Sequence, residues 1–125
     1  MKTKQEATRA LDGLKHFIGD SQIRCMKEMM HGEEKEFFFE KACELLNAVN
    51  ATPLVYGQEG KFKDATVHLH YFTGACDWWI TERDSSEEQV QAFGWAKLGN
   101  NDPELGYINI EDLLKVGAEL DFYWK

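Results

Sequence analysis

Apolar residues in the first third of the chain recur every three to four positions, as they do along one face of an α-helix. Thr3 and Glu6 have the spacing of a capping box, which marks the start of the first helix. Two further apolar stripes follow, one ending near Gly32 and the other near Asn50. The pattern therefore predicts three helices within residues 3–50.

Beyond Pro53 the apolar period shortens to two, which is typical of β-strands with one buried face. Leu69 and Tyr71, for example, alternate with His68 and His70. By the same alternation, Trp78 and Trp79 would point to opposite faces of one strand. Strands are predicted in this way over residues 65–72, 78–83, 90–98, 107–108 and 119–124.

These elements together predict an α+β fold. Asn109 can cap one short helix over residues 111–116, before the last strand. No long crossover helix follows Pro53, so the four or five strands should form one mostly antiparallel sheet with the three N-terminal helices packed on it. Residues 1–125 are expected to be a single domain, with a helical part at 1–50 and a sheet part at 53–125.

The charge of the chain is concentrated in the sheet part. The net charge is −8 at pH 7, and residues 77–121 hold eleven acidic side chains against three basic ones. A phosphate backbone would be repelled by such a surface, which argues against direct nucleic-acid binding. A basic protein, or a protein that itself binds nucleic acid, would be attracted. Solubility alone is the other explanation of this acidity.

Cysteine usage and apolar run lengths favour a cytoplasmic protein without a membrane segment. Cys25, Cys43 and Cys76 are odd in number and widely spaced, as expected of buried free thiols in a reducing compartment. The polar N-terminal residues resemble no signal peptide. No apolar run approaches the roughly 20 residues that cross a bilayer. The oligomeric state is left open by the sequence.

A combination of short motifs after the helices carries a family resemblance. The motifs are Pro53-Leu54-Val55-Tyr56, Gln58-Glu59, His70-Tyr71-Phe72-Thr73, Asp77-Trp78-Trp79-Ile80-Thr81-Glu82, Ala92-Phe93-Gly94, Leu98-Gly99 and Pro103-Glu104-Leu105-Gly106-Tyr107-Ile108. In this combination, residues 53–125 resemble an uncharacterised bacterial and phage family, domain of unknown function 2958, with an N-terminal helical extension. The family has no agreed activity. Its association with phages, plasmids and conjugative elements implies an accessory or inhibitor protein of a mobile element.

Two histidines are the best candidates for chemistry. His68 and His70 leave the same face of a predicted strand, so a transition metal could take both, but no third ligand is evident from the sequence. Cys76 could act as a nucleophile with either histidine as base, although no third group is placed to orient that base. Phosphate-binding glycine motifs are absent. We therefore predict neither a metal nor a cofactor.

The sequence is best interpreted as a small acidic protein-binding module without a catalytic set. Acidic loops at residues 84–88 and 100–104, together with an exposed tryptophan, are the predicted contact surface. Such a face could imitate a nucleic acid against a host defence protein. The alternative is a small metal-dependent or hydrolytic enzyme that uses His68 and His70. The predicted partner-binding residues are Trp78, Trp79, Glu82, Asp84, Glu87, Glu88, Asp102 and Glu104.

Overall fold

Three helices precede a five-stranded antiparallel sheet in the computed structural model, which describes residues 1–61 and 64–124. The predicted α+β class is therefore confirmed, as are the three N-terminal helices and the short helix before the last strand. The helices are α1 (Lys4–Gly13), α2 (Asp20–Met29), α3 (Lys35–Ala51) and α4 (Ile110–Lys115). The strands are β1 (Leu69–Phe72), β2 (Cys76–Glu82), β3 (Ala92–Leu98), β4 (Glu104–Ile108) and β5 (Glu119–Leu120).

Side-chain caps begin two of the helices where the sequence predicts them. The Thr3 hydroxyl accepts a hydrogen bond from the Glu6 amide at 3.2 Å, and the Glu6 carboxylate accepts one from the Thr3 amide at 3.1 Å. Asn109 accepts from the Asp112 amide at 3.1 Å and so caps α4. Each of these bonds joins residues three apart, which is why the local sequence was sufficient to predict them.

The sheet order is β4-β3-β2-β1-β5, and every neighbouring pair is antiparallel. The chain reaches the β5 edge from the opposite β4 edge by way of α4. β5 has two residues rather than the six predicted over 119–124. The reason is a turn after Leu120, in which the Asp121 carboxylate accepts from the Tyr123 amide at 2.9 Å.

The helices pack on one face of the sheet. Leu69, Tyr71 and Ile80 are buried there among apolar residues of α1, α2 and α3. The Tyr71 hydroxyl donates to the Phe17 carbonyl at 2.6 Å, and complete burial raises the Tyr71 pKa. Trp78 also points to this face and packs against the core.

The opposite face of the sheet, called the open face below, carries half-buried or exposed side chains. The strand registers place on it His70, Phe72, Asp77, Trp79, Phe93, Trp95, Lys97, Leu105 and Tyr107. The prediction that Trp78 and Trp79 occupy opposite faces is confirmed. Six of these nine side chains are aromatic when His70 is counted, so the open face is unusually rich in rings.

None of the helices in residues 1–61 and 64–124 combines the length and apolar content needed to span a bilayer. Cys25, Cys43 and Cys76 are all free thiols. The prediction of burial is wrong for Cys25, which is exposed because it lies on the outer side of α2, while its neighbour Met26 enters the core.

Candidate functional site

A β-bulge turns the carboxylate of Glu82 onto the open face. Ile80 lies opposite Gly94 and Glu82 lies opposite Phe93, so Thr81 is one extra residue on β2. With regular alternation Glu82 would follow Ile80 onto the helix-covered face. The inserted residue places Glu82 on the open face instead, since a shift of one residue exchanges the two faces of a strand. Glu82 is nevertheless only 3% exposed.

Gln58 fixes the segment after α3 against this bulge. Its amide nitrogen Nε2 donates to the carbonyls of Thr66 and Thr81, both at 2.8 Å, and its Oε1 accepts from the Thr66 amide at 2.7 Å. The backbone amide of Gln58 donates to Glu82 Oε1 at 3.1 Å. Gln58 therefore positions the loop through its side chain and the Glu82 carboxylate through its backbone amide.

A pocket of about 250 Å³ opens between this loop and strands β2, β3 and β4. Its walls are mainly apolar, and Glu82 supplies a carboxylate at the same wall as Phe93. The principal lining residues are Val55, Tyr56, Glu59, Glu82, Phe93 and Leu105. We call this space the Glu82 pocket.

Two tyrosines meet beside the pocket. The hydroxyls of Tyr56 and Tyr107 are 2.6 Å apart, and the Tyr107 ring packs edge-on against Phe93 with centroids 5.5 Å apart. Tyr56 has a backbone φ of 76°, a left-handed conformation that costs a bulky residue free energy. The hydrogen bond between the Tyr56 and Tyr107 hydroxyls stabilises the residue in this conformation.

The tyrosine pair should be visible in a pH titration. The hydrogen bond with Tyr56 is the largest cause of a raised Tyr107 pKa, with smaller contributions from desolvation and nearby negative charge. In Tyr56→Phe the Tyr107 pKa should fall toward the ordinary value of about 10. The measurement is a ¹³C NMR titration of the tyrosine ring carbons. Tyr123→Phe, which changes another exposed tyrosine, should leave the Tyr107 pKa unchanged, and an unaltered pKa in Tyr56→Phe would contradict the pairing.

A second cluster on the open face surrounds His70. Its Nε2 lies 2.8 Å from Asp77 Oδ1 and its Nδ1 lies 3.1 Å from Asp121 Oδ2. The ring stacks on Trp79 at a centroid distance of 5.6 Å and contacts Trp124 at 5.2 Å. His70 therefore connects β1, β2 and the C-terminal turn, and both of its ring nitrogens already have carboxylate partners.

This arrangement gives little support to the histidine-based enzyme hypotheses. Cys76 belongs to the helix-covered face and His70 to the open face, so the strand register keeps them on opposite sides of the sheet. Burial lowers the pKa of His68. No three His, Cys, Asp or Glu side chains converge as a metal-ligand set anywhere in residues 1–61 and 64–124.

The eight residues predicted to bind a partner fall into two groups, those used in the core or in a turn and those that are accessible. Trp79 lies on the open face, whereas Trp78 packs against the core. Glu82 and Asp84 are buried, so neither adds to an exposed acidic surface. The carboxylate of Asp84 is used within its own turn, where it accepts from the amides of Ser86 and Gln91, both at 3.1 Å.

The four remaining acidic side chains are exposed but do not form one patch. Glu87 and Glu88 precede β3, and Asp102 and Glu104 follow it. Because β3 is seven residues long, its two ends are about 20 Å apart at the usual rise per residue. The two acidic loops therefore lie at opposite ends of β3 and are too far apart to form one patch.

Tyr56, Gln58 and Phe93 were not among the residues predicted from the sequence to form a site. Their place in the motifs that carry the family resemblance was the signal that pointed to them. Gln58 lies 23 residues before Thr81 in the chain, so their contact was not evident from local spacing.

Comparisons with known proteins give one match. A family model described as Protein of unknown function (DUF2958) matches residues 43–123, from within α3 to beyond β5. The match includes the described residues of the Glu82 pocket and of the His70 cluster up to Asp121, and it leaves α1 and α2 outside. No curated protein and no solved structure matches the chain.

Proposed function

The chain belongs to the DUF2958 family of proteins of unknown function, and we propose that it is a non-catalytic module that binds a basic protein on the open face. The observation that supports this most directly is the aromatic character of that face. Trp79 and Trp95 lie opposite each other on β2 and β3, and Phe93 and Tyr107 continue the aromatic surface to β4. Aromatic residues are enriched at the centres of protein interfaces, where they contribute most to affinity.

Charge favours a basic partner. The chain carries −8 overall, and the carboxylates of Asp77 and Asp121 lie at one side of the aromatic surface. Glu87, Glu88 and Glu104 add exposed negative charge at the two ends of β3. Exposed charges of one sign accelerate the approach of an oppositely charged protein and orient it before contact.

The proposal includes a cytoplasmic location, for which the three free thiols are the support. A role as an accessory or inhibitor protein of a mobile element rests on the family resemblance. Nucleic-acid mimicry against a host defence protein would need a partner that spans both acidic loops, about 20 Å apart along β3. The enzyme alternative with His68 and His70 is less well supported, since both His70 nitrogens have carboxylate partners.

The test compares partner capture by two matched double variants. Trp79→Thr with Trp95→Thr removes the aromatic centre but keeps residues that favour strands. Met29→Thr with Val116→Thr removes two exposed apolar side chains elsewhere, which are 46% and 71% exposed. We expect the first variant to capture the bacterial partner of the wild-type protein at least about ten-fold less well, and the second to capture it normally.

The same experiment is repeated at about 50 and about 300 mM NaCl, where capture should weaken because salt screens exposed charges. Circular dichroism and thermal unfolding confirm that each variant is folded. Equal capture by both variants, or capture that is insensitive to salt, would contradict the proposal. A stoichiometric metal in the purified protein, lost in His68→Ala, would favour the enzyme alternative.

A further inference from the structure

We propose that the Glu82 pocket binds one organic cation with an apolar stem, supplied by a lysine or arginine side chain of the protein partner. This deepens the proposed function and rests on it for the source of the cation. The pocket itself is a separate part of the open face from the Trp79–Trp95 surface, so the two proposals can be tested apart.

The carboxylate of Glu82 is the group that would bind the cation. Its side chain is almost wholly buried, and one oxygen accepts from the Gln58 amide. Among the described residues its other oxygen has no hydrogen-bond partner, and no lysine, arginine or histidine forms an ion pair with it. No fully buried side-chain oxygen of the described residues lacks a hydrogen-bond partner, so this second oxygen is open to the pocket. A cation entering the pocket can pair with it there, at a site largely shielded from water.

The remaining walls suit the stem and the charge of such a side chain. Val55 and Leu105 offer aliphatic surface, while Tyr56 and Phe93 offer aromatic rings. A cation near a ring face is attracted by the negative charge of the ring π-system. The pocket volume of about 250 Å³ is below the range of roughly 300–1,000 Å³ that is usual for drug-sized ligands, which favours a single side chain.

Several features of the fold serve to build this pocket. The bulge at Thr81 aims Glu82 at it, and Gln58 ties the loop to the bulge. Tyr56 keeps a left-handed backbone conformation at its wall. Bulges and unfavourable backbone conformations are found preferentially at functional sites, where they direct a side chain.

The experiment titrates the ¹⁵N-labelled full-length protein with n-butylammonium and n-butylguanidinium, using n-butanol as the neutral control. We expect the two cations, but not butanol, to shift the amide signals of Gln58, Glu82 and Phe93. Glu82→Gln keeps an oxygen for the Gln58 amide while removing the charge, and it should weaken cation binding at least about ten-fold. Asp112→Asn, at an exposed position of α4, changes the net charge equally and should bind as the wild type does.

A second arm uses lysine with both backbone ends capped as amides. Binding of this probe at the same signals supports a protein side chain as the ligand. If n-butylammonium binds and capped lysine does not, the partner-side-chain assignment is overturned and a free amine is the ligand. Butanol binding as well as the cations, or unchanged binding in Glu82→Gln, would overturn the cation site.

Two controls separate this inference from folding defects and from the proposed function. Phe93→Leu keeps an apolar wall but removes the ring, and it should weaken cation binding a few-fold. This variant tests the site if Glu82→Gln fails to fold. The Trp79→Thr and Trp95→Thr double variant should bind the small cations normally. Partner capture without cation binding would therefore refute the pocket assignment alone, and cation binding without partner capture would refute the aromatic-face proposal alone.

Discussion

Gly94→Ala should lower the free energy of unfolding by about 3 kcal/mol or more, because the new methyl group would collide with the neighbouring strand. A Cβ at this position would overlap the Trp79 carbonyl oxygen and would lie 2.9 Å from the Trp79 carbonyl carbon and 3.0 Å from Ile80 Cα. These are backbone atoms of β2, which pairs with β3 at the centre of the sheet. No side-chain rotation can relieve the overlap, so the strands themselves must separate.

The matched control is Gly106→Ala, since Gly106 lies directly opposite Gly94 on β4. A Cβ built there meets nothing within 4 Å. This variant should change stability by less than about 1 kcal/mol, and restriction of the unfolded chain favours a small gain. Urea unfolding of the three proteins is the measurement. Equal stabilities of the two alanine variants would show that β2 and β3 are not in the register described.

Gln58→Ala should cost about 2–4 kcal/mol of stability and should release the loop that forms one wall of the pocket. The Gln58 side chain makes three hydrogen bonds of 2.7–2.8 Å with the backbone of Thr66 and Thr81. Alanine would leave one amide and two carbonyls without these partners, in a partly buried setting where such groups are expensive.

Hydrogen exchange can locate this effect. The Thr66 amide, which donates to Gln58 Oε1 in the wild type, should exchange much faster in Gln58→Ala. Gln91→Ala replaces an exposed glutamine and should leave both the stability and the Thr66 exchange unchanged. Retained protection of Thr66 in Gln58→Ala would contradict the proposed anchoring role. Weaker butylammonium binding by the same variant would link the anchor to the pocket.

Several predictions succeeded because their causes lie within a few residues of sequence. The capping pair Thr3 and Glu6 and the Asn109 cap are bonds between residues three apart. The alternation of Leu69 and Tyr71 with His70 depends only on the two-residue period of a strand. Elements and their faces could therefore be assigned from the pattern alone.

The acidic surface was less predictable, because exposure is decided by contacts across the fold. Asp84 and the exposed pair Glu87 and Glu88 belong to the same predicted loop, yet only Asp84 is buried. Its carboxylate closes a turn that reaches Gln91, seven residues further along the chain. Nothing in the composition of the loop distinguishes the carboxylate that serves the fold from the two that face solvent.

By itself the sequence determined the fold class, the starts of α1 and α4, and the opposed faces of Trp78 and Trp79, since all of these follow from local periods and caps. Only the tertiary structure decided the site. A single extra residue at Thr81 exchanges the face of Glu82, and the register that reveals this extra residue exists only between paired strands. The pocket likewise forms where the loop after α3 contacts strands β2, β3 and β4, which lie much later in the chain. Local sequence patterns do not predict contacts between segments so far apart.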